Sequence, residues 1–103
     1  MTRALIIGYG RAGRRHGVTL DRLGIEWIPV DPVFKSTDPK GRLQALAYYP
    51  YLNEALDDKI FSYDFAVICT PPSLHLAQIQ ACLDAGLPVL CEKPICALGQ
   101  LGE

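Results

Sequence analysis

Arg3-Ala-Leu-Ile-Ile-Gly-Tyr-Gly-Arg-Ala-Gly13 is the stretch that decides the fold of this 103-residue chain. Its first half, Arg3 to Gly8, is a short apolar run without polar alternation, the pattern of a strand buried on both faces and therefore of a parallel sheet. Its second half spells Gly8-x-Gly10-x-x-Gly13. From Arg11 to Leu23 the spacing turns helical, with Ala12, His16, Leu20 and Leu23 predicted on the inward stripe and Arg14, Arg15, Val18 and Arg22 mostly opposite. Gly24 is placed to end that helix in the left-handed conformation. A strand, a glycine turn and a helix in this order suit a dinucleotide. Gly8 permits the tight turn, Gly10 removes the side chain that would block a pyrophosphate, and Gly13 lets the helix pack closely on the sheet. The amides of Arg11, Ala12 and Gly13 at the helix start would face the phosphates, where the helix dipole also favours negative charge. Gly17, one turn on, costs about 1 kcal/mol relative to alanine in mid-helix, a loss that close packing would offset.

Working outward, Ile25 to Val30 reads as a second strand that ends at Asp31, eighteen residues past Gly13. That is where the adenosine ribose 2′-hydroxyl would lie. A carboxylate accepts a hydrogen bond from that hydroxyl and repels a 2′-phosphate, so the sequence favours NAD, with NADP possible because Lys35 follows in the polar loop of residues 31–42. A short third strand is expected from Ala45 to Tyr49, then a helix capped by Asn53 and running from Glu54 to Lys59. Phe65 to Cys69 is a further buried strand, stopped by Thr70-Pro71-Pro72. Ser73 is placed to cap a helix from Leu74 to Ala85 that turns Leu76, Ile79 and Leu83 inward and ends at Gly86. Pro88 to Cys91 makes a fifth strand, closed by Glu92-Lys93-Pro94. Strands alternating with helices across short connections imply right-handed crossovers. The expected fold is thus α/β, a Rossmann-like doubly wound parallel sheet of about five strands in the order 3-2-1-4-5 with helices on both faces.

Composition narrows the function classes. Half the residues are hydrophobic and a fifth charged, with a formal net charge of −1, an ordinary globular balance rather than a disordered one. No apolar run exceeds about five residues, far short of the ~18 a membrane span needs, and the start lacks a signal peptide. A cytoplasmic protein without membrane or nucleic-acid partners is expected. The first 22 residues hold five arginines against the single Asp21, while the remainder carries five cations against ten acids. That asymmetry suggests a local anion site rather than a nucleic-acid surface. Arg11, in the turn itself, is a candidate phosphate contact, whereas Arg14 and Arg15 are expected on a solvated face. Cys69, Cys82, Cys91 and Cys96 form no C-x-x-C pair and no zinc spacing, so no metal site is expected and the thiols are read as reduced and packed. His16 is expected to be a packed, hydrogen-bonded core residue.

At the carboxyl end of the fourth strand, Thr70 and Pro71 can wall one side of a cofactor where the strand order reverses, and His75, at a helix start, is expected among the cofactor-binding residues as a neutral hydrogen-bonding group rather than a base. Glu92-Lys93-Pro94 ends the fifth strand at the same edge. The set Gly8-x-Gly10-x-x-Gly13-x-x-His16, Thr70-Pro71 with His75, Asp84-Ala-Gly86 and Val89-Leu-Cys-Glu92-Lys93-Pro94 resembles the N-terminal domain of the glucose-fructose oxidoreductase / inositol dehydrogenase / MocA (Gfo/Idh/MocA) family, from residue 3 to about 98. The resemblance implies NAD(P)-dependent oxidation or reduction of sugars, cyclitols and related alcohols. It adds Glu92 and Lys93 to the cofactor-binding residues and implies that the Lys93 ammonium reaches the nicotinamide ribose and the substrate hydroxyl, assisting proton transfer. Family members continue into a second domain with the substrate pocket and an Asp-x-x-x-His motif, which has no counterpart in residues 95–103. The expectation is a cofactor domain over residues 1–103, truncated at its C-terminal boundary. It would bind dinucleotide but would not be catalytically competent alone, and would meet a polyol or sugar only with the missing domain. Apolar surface at Val89, Leu90 and Ile95 on the fifth-strand edge would favour a homo-oligomer. A stand-alone nucleotide sensor or interaction module is the alternative from another class. A CoA-binding domain is disfavoured by Asp31, which would lie near a ribose phosphate.

Overall fold

The apolar run of the opening stretch becomes the central strand of the sheet. In a computed structural model, which describes residues 2–35, 45 and 47–91, strands β1 (Arg3–Ile7), β2 (Glu26–Val30), β3 (Phe65–Ile68) and β4 (Val89–Cys91) run parallel. Their order is β2-β1-β3-β4. Ala4, Leu5, Ile6 and Ile7 of β1 are all buried, because both faces of the sheet are covered. Leu5 and Ile7 pack with Ile28, Val30, Ala66 and Ile68 under α2 (Leu52–Asp57) and α3 (His75–Asp84), while Ala4 and Ile6 pack with Trp27 and with Leu20 of α1 (Arg11–Arg22) on the other face.

The expected third strand is reduced, among the described residues, to one parallel bridge between Val30 and Tyr49. Its position beyond β2 is the expected one, and the reason for its brevity lies in β2. Tyr49 N–H donates to the Pro29 carbonyl (3.0 Å) and Asp31 N–H to the Tyr49 carbonyl (3.0 Å). Pro29 therefore presents its backbone to this outer edge, where it has no N–H to give, and the ladder loses a rung.

Other differences are local. The buried residues of α1 are Gly13, Gly17 and Leu20, so of the expected stripe of Ala12, His16, Leu20 and Leu23 only Leu20 is buried. Ala12 and His16 are half-buried and Leu23 is exposed. The glycines face the sheet because the helix lies close to it: an added Cβ at Gly17 would come within 3.1 Å of Tyr9 Oη and 3.3 Å of Trp27 Cζ2. Asn53 does not cap α2, which begins at Leu52 with an extended Tyr51 at its N-cap. Ser73 lies within a 3-10 turn, Pro72–Leu74, and α3 starts only at His75. Its buried residues are His75 and Cys82, with Ile79 packed on the core, whereas Leu83 is exposed. Gly24 and Gly86 take the left-handed conformation expected of them, with φ of +71° and +75°. Cys82 is buried, Cys69 and Cys91 are half-buried, and none of the three is in a disulfide. Burial pushes the Cys82 thiol up to about 11. At the β4 edge Val89 is half-buried and Leu90 exposed, while Ile95 and Cys96 lie outside the described residues. No helix among those residues is long and apolar enough to cross a membrane.

One polar contact fastens α2 to the segment before it. Tyr49 Oη donates to Asp58 Oδ2 at 2.6 Å. This bond, followed by one from Ile60 N–H, holds the Asp58 carboxyl below its ordinary range. A depressed folded-state value means that the stabilisation is present above the unfolded pKa and is lost as pH falls through the folded one. Tyr49→Phe should therefore lower the thermal midpoint at pH 7, and the gap from the unsubstituted protein should close as the solution is acidified. Melting curves followed by circular dichroism across that range measure it, and a gap that persists in acid contradicts the assignment.

Candidate cofactor site at the strand ends

The chain moves outward from β1 through α1 to β2, then returns past β1 to β3 on its other side. Loops after β1 and β3 consequently leave in opposite directions and open a crevice at the carboxyl edge of the sheet. The turn Gly8-Tyr9-Gly10 forms its floor. Gly8 has φ +89°, a conformation that favours glycine, and its N–H donates to the Val30 carbonyl at 2.8 Å. An added Cβ there would lie 2.7 Å from Thr70 Cγ2 and 3.0 Å from Thr70 N, so the β1 and β3 turns are in direct contact. At Gly13 an added Cβ would lie 2.2 Å from the Gly8 carbonyl oxygen. The first and third glycines are thus required by the protein's own packing.

Gly10 is different. Its φ is −82° and, among the described residues, an added Cβ would meet nothing within 4 Å, so contacts among them give no reason for a glycine. The open space lies over the start of α1. That helix has no side-chain cap and no acidic residue in its first turn, and its first backbone bond runs from Arg14 N–H to the Gly10 carbonyl (3.0 Å). The amides of Arg11, Ala12 and Gly13 are therefore left without intrahelical acceptors, and no acidic residue in the helix's own first turn offsets the positive end of its dipole. The cradle fits an anionic diphosphate.

Asp31, just past β2, is half-buried, and both of its oxygens accept backbone N–H groups, Oδ2 from Tyr9 (2.8 Å) and Oδ1 from Val33 (2.9 Å). The carboxylate thus braces the glycine turn against the loop after β2. Lys35 is exposed on that loop. The five arginines of the basic opening are scattered. Arg11, Arg14 and Arg15 are exposed on α1, Arg22 sits in its last turn, and Arg3 lies at the opposite end of the sheet, where it pairs with Glu26 at 2.5 Å. Arg11, the first residue of α1, directly follows the glycine turn.

Pro71 is exposed beside Thr70, while His75 lies beneath the turn and is buried. Its Nε2 is 2.6 Å from the Thr70 carbonyl oxygen. Glu92 and Lys93 lie outside the described residues. Sequence reasoning did not single out an aromatic row flanking the crevice. Tyr9 stacks on Trp27 with centroids 5.1 Å apart and meets Phe34 edge-on at 5.1 Å, and Phe34 contacts Tyr48 at 5.3 Å. Burial pushes the Tyr9 hydroxyl above its ordinary range. An aromatic residue inside a glycine turn was the available signal.

Comparison with known proteins points the same way. Residues 2–103 match the family model for Gfo/Idh/MocA, described as an oxidoreductase family with an NAD-binding Rossmann fold. Inositol 2-dehydrogenase 1 of Saccharopolyspora erythraea is 32% identical over 89% of this chain and 28% of its own length. The NADP(+) scyllo-inositol 2-dehydrogenase IolW of Bacillus subtilis is 30% identical over 95% of this chain and 27% of its own. Among solved structures, the WlbA dehydrogenase of Chromobacterium violaceum, in complex with NADH and UDP-GlcNAcA, superposes with a TM-score of 0.75 at 26% identity, over 92% of this chain and 28% of that one. The chain spans between a quarter and a third of each of these proteins.

Proposed function

The chain belongs to the Gfo/Idh/MocA oxidoreductase family as its NAD-binding Rossmann domain, and from that premise we propose that it holds a nicotinamide dinucleotide, preferring NAD, for hydride exchange with a cyclitol, sugar or similar alcohol. The observation that carries the cofactor reading is the unfilled space at Gly10, bordered by the uncapped start of α1 and by Asp31. Arg11, Ala12 and Gly13 would bind the diphosphate through their amides. Asp31 would accept a hydrogen bond from the adenosine ribose, and Thr70 with Pro71 would wall the nicotinamide half. Preference for NAD rests on the negative charge at Asp31, which disfavours a 2′-phosphate; the NADP-dependent relative makes this a point for measurement. When bound, the nicotinamide supplies the hydride donor or acceptor. Lys93, two residues after β4 in sequence, would assist the proton transfer that accompanies it, as the family resemblance implies. Substrate choice and full acid/base chemistry are assigned to a substrate-binding domain joined to this one.

Titration with NADH, followed by cofactor fluorescence, tests the binding claim. A saturable change at submillimolar cofactor is expected, with weaker binding of NADPH. A linear response to millimolar NADH would falsify it.

A further inference from the structure

We propose that His75 and Gln78 on α3 are positioning residues for the dinucleotide, because together they grip Thr70 and hold the turn after β3 against the glycine turn. The proposal rests on the cofactor reading above. His75 is 2% exposed, and a carbonyl oxygen can only accept, so its Nε2 carries the proton and donates to Thr70 O at 2.6 Å. That proton is committed to the backbone rather than to a reacting group. The Thr70 hydroxyl donates to Gln78 Oε1. Positions 75 and 78 are three apart and share one side of the helix, so a single face of α3 holds Thr70 by both its main chain and its side chain.

The opposite side of Thr70 faces the glycine turn. Its Cγ2 and N occupy the volume that any side chain at Gly8 would need. Cys69 N–H donates to the Ile7 carbonyl at 2.7 Å, and Gly8 N–H donates to Val30 O at 2.8 Å. Gly8 is therefore enclosed between β2 and Thr70, and Thr70 takes its place from α3. The helix itself is anchored by Cys82, fully buried, and by Ile79 packed on the core. Crevice geometry is in this way inherited from a rigid element rather than from a proline-rich loop, the arrangement that reduces the ordering cost of binding a ligand.

Gln78→Met keeps the length and helix propensity of the side chain and removes the acceptor. It should weaken NADH binding about tenfold with little change in thermal midpoint, and should speed amide hydrogen exchange at Gly8 and Cys69 in the absence of cofactor. His75→Leu should do more, and His75→Gln, which retains a donor, should recover part of the loss. If His75→Leu does not fold, Gln78→Met and Thr70→Val decide, since each breaks the same side-chain bond from one end. Unchanged NADH affinity and unchanged exchange in the folded variants overturn the inference while leaving the cofactor reading intact. Failure of the unsubstituted chain to bind NADH overturns the cofactor reading, and the positioning role with it.

Discussion

Gly13→Ala should melt well below the unsubstituted protein and lose most of its affinity for NADH. The added methyl would sit 2.2 Å from the Gly8 carbonyl oxygen, 3.1 Å from the Gly8 carbonyl carbon and 3.4 Å from Ile6 Cγ2. The first two are backbone atoms with nowhere to go, since Gly8 is tied to β2 through Val30 and to the turn after β3 by contact with Thr70. Relief must come from α1 moving away from the sheet, which opens the packing of Gly17 against Tyr9 and Trp27. Replacing a helical glycine by alanine ordinarily gains about 1 kcal/mol, but overpacking in a core costs roughly 1–3 kcal/mol, and more where backbone must shift. The steric loss wins. For a domain of this size a net 2 kcal/mol corresponds to a fall of roughly 8–16 °C in midpoint, and the displaced amides of Ala12 and residue 13 should weaken the cofactor by more than tenfold. Gly10→Ala is the control, because among the described residues its methyl meets no atom within 4 Å. That variant should fold normally and lose NADH all the same. Melting curves and NADH titrations on the two variants separate the roles. A Gly13→Ala protein as stable as the parent would mean that the close approach of α1 to the turn is wrong.

The contrast between these glycines marks where the sequence was legible. β1, the glycine turn, the left-handed stops at Gly24 and Gly86 and the place of Asp31 follow from short-range rules, in which residue type and spacing suffice. Where the structure differs, partners distant in the chain or a competing neighbouring turn decide. Apolar periodicity chose Ala12 and His16 as the inward side of α1, because it scores glycine as neutral, whereas the sheet admits the helix only along its glycine side. The expected third strand lies beyond β2 as a single bridge at Tyr49 among the described residues, because Pro29 offers that edge no N–H. Asn53 and Ser73 are good caps in isolation, yet Tyr51 and the Pro72–Leu74 turn set the actual helix starts. The part played by Gln78 had no local signature, since a glutamine in a helix reads as surface until Thr70 is seen beside it.

Asp31 is the residue at which fold and cofactor choice coincide, and its substitution should show both. Asp31→Ala leaves the amides of Tyr9 and Val33 without their acceptor. Because the site is half-buried, water can replace part of what is lost, so the cost should fall near the low end of the roughly 1–3 kcal/mol for an unsatisfied polar group. Although Gly8 stays bonded to Val30, the glycine turn loses the brace that fixes Tyr9 between Trp27 and Phe34, and tryptophan emission from the single Trp27 should change with it. The ribose also loses a charged acceptor, an interaction worth about 1.5–3 kcal/mol, so NADH affinity should drop roughly tenfold to hundredfold. NADPH should suffer less, since its 2′-phosphate no longer meets a carboxylate and Lys35 stands on the adjoining loop. Asp31→Asn separates the two effects, because it retains one oxygen for the backbone while removing the charge. Its NADH and NADPH dissociation constants should converge while its midpoint stays closer to the parent's than that of Asp31→Ala. Weaker binding of NADPH than of NADH in both variants, by the same ratio as in the parent, would show that the charge at this position does not choose the cofactor.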